Sequence, residues 1–391
     1  MTATARTTAL EVYIFDGVDW QYDGAAYAAS CRFGFDQRYA EADIWRTGGS
    51  ALAVNYWSRV DVWMGASDLG YSRRFSGYVV PLDNALYPVQ GVLHCRGNLY
   101  RAEWVRNQEA FGTDLAGGTG AADEAMVMAV LDACGVPYDP DHIGGTGKAL
   151  GSVYNGNPDD VFTPGPFYWT EGESGLAYLD RLDAVSVPDT ADGRYRTFET
   201  LGGDVFRIPL ATAPASTPDF SFTEGVDVLA ATITRDPGGA ANRVTVTGAP
   251  VAPASGIVHT FTATTGFAPY LPPGLPNAPG TATPADPDGF PVVGTAFASP
   301  LIEKSENADP GDVVSCEAVA QFLLQEHNCV LDTLEFATPR ADLLGPGQTI
   351  HLHSPRLGIT DPDQHYWLQR LEVSLDERGA FTQKLTCVRR S

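Results

Sequence analysis

Short runs of alternating apolar residues, each closed by a glycine or aspartate turn, occupy both ends of this chain and limit its fold most narrowly. Leu10, Val12 and Ile14 alternate and meet Asp16-Gly17. Val60, Val62 and Met64 alternate up to Gly65, and Val89, Gly91, Leu93 and Cys95 up to Gly97. A period of two sends successive side chains to opposite faces of a strand, so each run buries one face. Several such runs with turns between them predict an antiparallel sheet or small barrel. Trp45, Trp57 and Trp63 fall among these runs and suit β-structure. The last sixty residues return to the same pattern. Strands are expected over 334–338, 349–353, 366–375 and 382–389, with turns at Leu343-Leu344-Gly345-Pro346-Gly347 and Asp376-Glu377-Arg378-Gly379.

The middle of the chain has another period. Met126, Val130 and Cys134 recur every fourth residue, as do Val127 and Leu131, which predicts a helix over 121–134. Asp123 and Glu124 in its first turn suit the helix dipole, and Gly135 stops it. A second helix starts at Ser174 as N-cap, with Leu176, Leu179 and Leu182 inward. Residues 144–166, dense in Gly, Asn, Asp and Pro, read as a long loop. A hairpin follows, 195–201 with 204–210, joined at Gly202-Gly203. Residues 211–218 read as a linker. Strands over 228–234 and 244–248 then flank Asp236-Pro237-Gly238-Gly239, with another over 257–263.

Residues 266–300 hold nine prolines. They cannot form a central strand, since proline has no N–H for the ladder, so they read as a surface loop or extended arm. A helix over about 310–328 has Asp309 as cap, Pro310 at its first position and Val319, Phe322 and Leu323 inward. No short-period repeat appears. Two β-rich ends around a helical middle suit a duplicated β domain with an insertion. The expected fold is mainly β with an α+β insertion, divided at 1–112, 113–212 and 213–391.

Composition excludes several classes. Hydrophobic residues are 44% of the 391, which rules out disorder of the whole chain. Apolar runs break after about six residues, short of the ~20 that a bilayer crossing needs, so no membrane span is expected. The polar, Thr-rich first ten residues have no apolar segment and predict no secretory signal. Cys31, Cys95, Cys134, Cys316, Cys329 and Cys387 are scattered without CxxC spacing, which fits reduced thiols in a chain made in a cytoplasm. A net charge of −23 gives no general affinity for nucleic acid, because phosphate contact needs Lys and Arg density.

Motifs for chemistry fall short one by one. Gly144-Gly145-Thr146-Gly147-Lys148 resembles a phosphate loop, but His142 stands where the first glycine belongs and Ala149 where Ser or Thr would meet magnesium. Gly172-Glu173-Ser174-Gly175 approaches a nucleophile elbow, but Leu176 takes the place of its last glycine. His351 and His353 share one face of a predicted strand, with Asp361, Asp363 and His365 close behind, and two such imidazoles with a third ligand can hold zinc. No HExxH helix accompanies them, and a polar strand face is the expected role. Among 48 acidic residues no carboxylate pair can be singled out. Cys95 and Cys387 alternate with apolar residues and read as core. No catalytic, cofactor or metal residue is therefore expected, which favours a structural or assembly role.

Three stretches carry a family resemblance. Arg73-Arg74-Phe75-Ser76-Gly77-Tyr78-Val79 leads to the strand through Leu93-His94-Cys95. Phe222-Thr223-Glu224-Gly225-Val226-Asp227-Val228-Leu229 is followed by Asn242-Arg243-Val244-Thr245-Val246-Thr247-Gly248, in the manner of an opening hairpin. The third stretch runs from Val319-Ala320-Gln321-Phe322 through Leu343-Leu344-Gly345-Pro346-Gly347-Gln348-Thr349-Ile350 and Tyr366-Trp367-Leu368-Gln369-Arg370-Leu371 to Gly379-Ala380-Phe381-Thr382-Gln383-Lys384-Leu385. In this order the chain resembles the baseplate hub proteins of tailed bacteriophages and their relatives in injection systems and gene transfer agents. Residues 144–166 and 266–300 depart from that pattern.

The resemblance implies two tube-type antiparallel β-barrels per chain and a homotrimer that forms a ring of six barrels. Such a ring adapts a six-fold tail tube to a three-fold tip and lines the DNA exit channel. Implied partners are a tail tube or distal tail protein on one rim and a spike, fibre or tail-tip protein on the other. A tape measure protein would occupy the lumen. The implied place is the virion tail, assembled in the host cytoplasm. The acidic balance would then keep DNA from sticking to the bore. Two other readings compete: an envelope-acting peptidoglycan or polysaccharide hydrolase or glycan-binding tip protein, and a distal tail or fibre-attachment subunit.

Overall fold

The computed structural model describes residues 8–35, 37–47, 54–66, 70–81, 91–108, 122–147, 169–186, 193–211, 214–228, 230–236, 243–251, 259–265, 303–307, 319–320, 323, 331–340, 344–345 and 347–390. The first segment forms seven strands: β1 (Thr8–Phe15), β2 (Trp20–Tyr22), β3 (Ala26–Gly34), β4 (Glu41–Arg46), β5 (Arg59–Ala66), β6 (Gly70–Val79) and β7 (Val92–Gly97). A middle segment follows, with α1 (Arg101–Trp104), α2 (Asp123–Cys134), α3 (Gly175–Val185) and the hairpin β8 (Gly193–Glu199) and β9 (Val205–Ala211). The last segment holds β10 (Phe220–Thr223), β11 (Ala231–Asp236), β12 (Arg243–Val251), β13 (His259–Thr265), β14 (Glu303–Asn307), β15 (Leu331–Thr338), β16 (Thr349–His353), β17 (His365–Leu375) and β18 (Phe381–Arg390).

Both ends of the chain share one thirteen-stranded sheet. Its order is β11-β15-β18-β17-β3-β4-β7-β6-β5-β1-β2, with β16 against β17 and β10 against β16. The β1–β2 ladder continues one pair past β2, the Asp23 N–H donating to the Val12 carbonyl at 2.8 Å. No ladder joins β1 to β3 among the described residues, so these strands do not close a barrel there. The fold is mainly β, with antiparallel pairing prevailing, as the alternating runs predict.

The topology contains a duplication. The N-terminal strands run in the order β3-β4-β7-β6-β5-β1, and the C-terminal strands in the matching order β11-β15-β18-β17-β16-β10. The four ladders from β3 to β5 are antiparallel, and so are the four from β11 to β16. Only the opening strand differs in sense: β1 is antiparallel to β5, whereas β10 is parallel to β16. The registers superpose residue on residue. Val79 lies opposite Cys95, and Leu368 opposite Cys387. Ala42 faces Cys95, and Leu334 faces Cys387. The two units meet at an internal seam where β17 pairs with β3, Arg370 opposite Gly34 through Leu375 opposite Ala29.

Alternation gives this sheet its core. Val12, Val62, Phe75, Leu93, Leu334, Ile350, Leu368 and Leu385 are buried together, drawn from both units. A second core lies under the helices, built of Leu99, Met126, Val130, Leu131, Tyr178, Leu179, Leu182 and Val205. Here α2 begins at Asp123 and ends at Gly135, whose left-handed φ of 64° closes the last turn. Ser174 caps α3, its Oγ accepting the Ala177 N–H at 3.2 Å. Leu179 and Leu182 point inward as predicted, and Leu176 packs at the margin.

Three expectations are corrected or lie elsewhere. The strands after Val228 and Asn242 do not form an opening hairpin. β11 pairs with β15, while β12 joins β13 and β14 in a separate three-stranded sheet. A turn signal reports that the chain reverses, but the ladder is chosen by burial: β12 covers Val244 and Val246 in its own sheet. Trp57 is not in a strand but in the turn before β5, at a φ of 68°. The Pro-rich residues 266–300 lie outside the described residues. So does most of the 310–328 helix, of which Val319, Ala320 and Leu323 are helical and buried.

Candidate functional site

The motif residues are structural in their placement. Gly144 is tied to β9, its N–H donating to the Arg207 carbonyl at 2.9 Å. Thr146 donates from both its N–H and its Oγ1 to Asp123 Oδ1, at 2.9 and 3.0 Å. A carboxylate thus occupies the donors that a phosphate would need. His351 and His365 stand opposite each other, with ring centroids 5.8 Å apart and planes at 88°. Each turns Nδ1 to a backbone carbonyl, Gln364 O at 3.3 Å and Ala215 O at 2.9 Å. Among the described residues no three His, Cys, Asp or Glu side chains gather as a metal would require. Cys31, Cys95, Cys134 and Cys387 are free thiols in the core; burial raises all four, Cys134 to about 11.

A buried charge network fastens the middle segment to the sheet. Asp183 of α3 accepts from Arg38 Nη1 at 2.7 Å, Arg207 Nε at 3.0 Å, and Thr197 N and Oγ1 at 2.7 and 3.1 Å. Arg207 of β9 also meets Asp123 Oδ2 of α2 at 2.9 Å and lies over the Tyr195 ring. Burial pushes Asp183 up, but Arg38 and Arg207 outweigh it and hold the carboxyl below its ordinary value. Arg38 sits between β3 and β4 at a φ of 63°, a conformation its ion pairs with Asp183 and Asp180 secure.

A second buried acid, Glu199 at the end of β8, is held by backbone donors. Its oxygens accept the N–H groups of Asn98 at 2.7 Å and Leu99 at 3.1 Å. Burial outweighs these donors and pushes its carboxyl up to about 8. Gly97 makes the approach possible, since a Cβ there would stand 2.7 Å from Oε1.

The surfaces left open are of another kind. β11 and β2 end the large sheet. A cleft crosses the seam, lined by Arg32, Gln37, Glu335, Arg370, Glu372 and Lys384. Across its strands Lys384 meets Glu372 at 3.4 Å, and Arg32 pairs with Glu41 and Asp43. Trp57 and Trp104, 44% and 57% exposed, stand together with Tyr78 and Tyr100 at the end of β6.

Sequence reasoning read two stretches without setting them side by side. Asp16-Gly17-Val18-Asp19 and Glu224-Gly225-Val226-Asp227 are nearly one tetrapeptide at the tip that follows each unit's opening strand. Both valines stand in solvent, Val18 89% and Val226 79% exposed. That pair would have exposed the duplication without any structure.

No family model and no curated protein matches the chain. Solved structures do. The 43 kDa tail protein of prophage MuSo2 from Shewanella oneidensis aligns at a TM-score of 0.58 and 11% identity, over 97% of this chain and 98% of that one. A tail protein from Neisseria meningitidis MC58 aligns at 0.57 and 10%, over 97% and 96%. Coverage is nearly complete in both directions, and at such low identity what is shared is architecture. From end to end, this chain has the fold of those phage-type tail proteins, as the resemblance read in its motifs implied.

Proposed function

We propose that this chain is a non-enzymatic structural subunit of a phage-type tail, a hub whose homotrimer forms a ring between a six-fold tube and a three-fold tip. Each of the two matching strand sets would serve as one tube-type barrel, over 1–112 and 213–391, with 113–212 as the inserted middle. Three chains would then supply six equivalent units. The observation that carries this reading is the seam at β17 and β3, where one unit's strand continues the sheet of the other. Among the described residues, β11 is left at the end of the joined sheet. In the ring, a tube or distal tail protein would sit on one rim and a spike, fibre or tip protein on the other. A tape measure protein and then DNA would pass through the lumen, in a virion tail assembled in the host cytoplasm. The net charge of −23 suits a bore that repels phosphate.

Light scattering over a concentration series tests the assembly. A particle of about 125 kDa, three times the 41.7 kDa chain, is expected, with a ring in negative stain. A hexamer would point to a distal tail subunit. Clearing of a cell-wall overlay by the purified chain would overturn the non-enzymatic role.

A further inference from the structure

The duplication lets each residue of one unit be compared with its counterpart in the other. Trp57 N–H donates to the Val79 carbonyl at 2.7 Å, and the Val79 N–H to Ser58 O at 3.0 Å. In the second unit the Gly347 N–H donates to the Leu368 carbonyl at 3.1 Å, and the Leu368 N–H to Gln348 O at 2.9 Å. The next pairs agree: Arg59 faces Tyr78, and Thr349 faces Trp367. Trp57 is therefore the counterpart of Gly347, and Tyr78 of Trp367.

Both turns need the left-handed backbone, φ 80° at Gly347 and 68° at Trp57. Glycine adopts it freely, whereas a bulky side chain is strained there. The first unit thus carries an indole where the second has the unstrained solution, and it leaves that indole 44% exposed. Part of the indole packs on Tyr78, Tyr100 and Trp104 of its own unit, and the rest stands in solvent.

The second unit indicates what lies against this position. There the first unit's Phe35 stacks on Trp367, with centroids 4.9 Å apart and planes at 12°. A Cβ at Gly347 would meet Phe35 and Ile208 within 3.9 Å. At the internal seam this place is thus covered by the neighbouring unit, next to where β3 joins β17. Among the described residues the first unit shows no such neighbour. Its Tyr78 is flanked instead by Trp57, Tyr100 and Trp104, with Arg101 over the Tyr78 ring and Arg96 over Tyr100. Tryptophan, tyrosine and arginine at the centre of a patch are the residues that dominate protein interfaces. The counterpart of β3, which forms the seam, is β11, and β11 ends the sheet among the described residues.

We infer that the Trp57–Tyr78–Trp104 surface is the docking face for the β11 end of a second copy of this chain. The inference rests on the ring proposed above and names its contact. The internal seam is the template, with Trp57 as an added anchor where two chains rather than two units of one chain must be held together.

Trp57→Gly is the test, because the second unit has already accepted glycine in this turn. Wild type, Trp57→Gly and Trp57→Phe are compared by light scattering over a concentration series and by thermal melting. Expected results are a trimer for wild type, a more than tenfold higher half-assembly concentration for Trp57→Gly with no loss of folded secondary structure, and substantial rescue by Trp57→Phe. A residue that only packs its own turn would lower the melting temperature and leave assembly unchanged. A trimeric Trp57→Gly with unchanged midpoint overturns this contact and leaves the ring standing. A wild-type chain that is monomeric at every concentration overturns the self-assembling ring and the contact together.

Discussion

Asp183→Asn separates the charge of this residue from its shape. In the wild type, one carboxylate oxygen serves Arg38 Nη1 and Thr197 N, and the other serves Arg207 Nε and Thr197 Oγ1. An asparagine amide has one acceptor side only. In either orientation its NH₂ confronts a guanidinium, and two buried cations lose their shared anion. Asp183, Arg38 and Arg207 are all nearly inaccessible, so solvent does not screen the loss. Removing one partner of a buried ion network costs about 3–5 kcal/mol. At 1.4 kcal/mol per tenfold, local opening should rise about a hundred- to several-thousand-fold. Hydrogen exchange read by mass spectrometry measures it where a single melting temperature for several segments would not. Protection should fall in α2, α3 and the β8–β9 hairpin and persist in β4 and β7. The depressed acidity of Asp183 adds a sign. Its contribution is present above the ordinary aspartate value of 3.8 and is lost as pH falls through the lower folded value, so wild type and variant should converge in acid. A change below tenfold, or an equal loss across the sheet, would refute the clasp.

Gly97→Ala should destabilise by about 2–4 kcal/mol, since its Cβ would meet the Glu199 carboxyl and force apart a buried contact. Adding Glu199→Ser to it should cost less than the sum of the singles in urea unfolding, and strict additivity would contradict the contact. Glu199 itself titrates in the opposite sense to Asp183. With its carboxyl pushed up to about 8 from 4.5, the native state holds a proton that the unfolded chain releases between those values. Its share of stability is complete below about pH 4.5 and declines as pH rises through 8; Glu199→Gln, which mimics the protonated acid, should flatten that slope. Iodoacetamide should leave Cys31, Cys95, Cys134 and Cys387 unmodified in the native chain at pH 7.5, because burial disfavours every one of those thiolates. Labelling of any of the four without denaturant would show that the core opens.

What was legible in the sequence follows from the range of the forces involved. The period-two runs at Leu10–Val12–Ile14 and at Val60–Val62–Met64 became β1 and β5, because alternation is set locally by the geometry of one strand. Ser174 and Gly135 mark their helix ends because caps act within one turn. The partner of β11 was not legible: Asp236-Pro237-Gly238-Gly239 announces a reversal, yet β11 pairs with β15, about a hundred residues away. The clasp was invisible for the same reason. Nothing near Arg38 in sequence points to Asp183, and a motif search for catalytic spacing passes over a network whose members lie on five separate elements and loops.

The duplication explains why the most informative residue was also misread. Tryptophan is a strand former, so Trp57 between two strands looks like β-structure. Only its counterpart reveals the conflict, because Gly347 makes the same hydrogen bonds without the strain. Equivalent positions in the two units are held by the same ladder, so differences between them report surroundings and not fold. Cys95 and Cys387 stay alike because both units bury them. Gly347 lies under Phe35 and Ile208, whereas Trp57 leans on Tyr78, Tyr100 and Trp104 and stays 44% exposed. An exposed apolar residue alone is ordinary on a protein surface. A strained, exposed indole that a duplicate unit manages without is a departure from the fold's own solution, and the Trp57→Gly comparison asks what that departure serves.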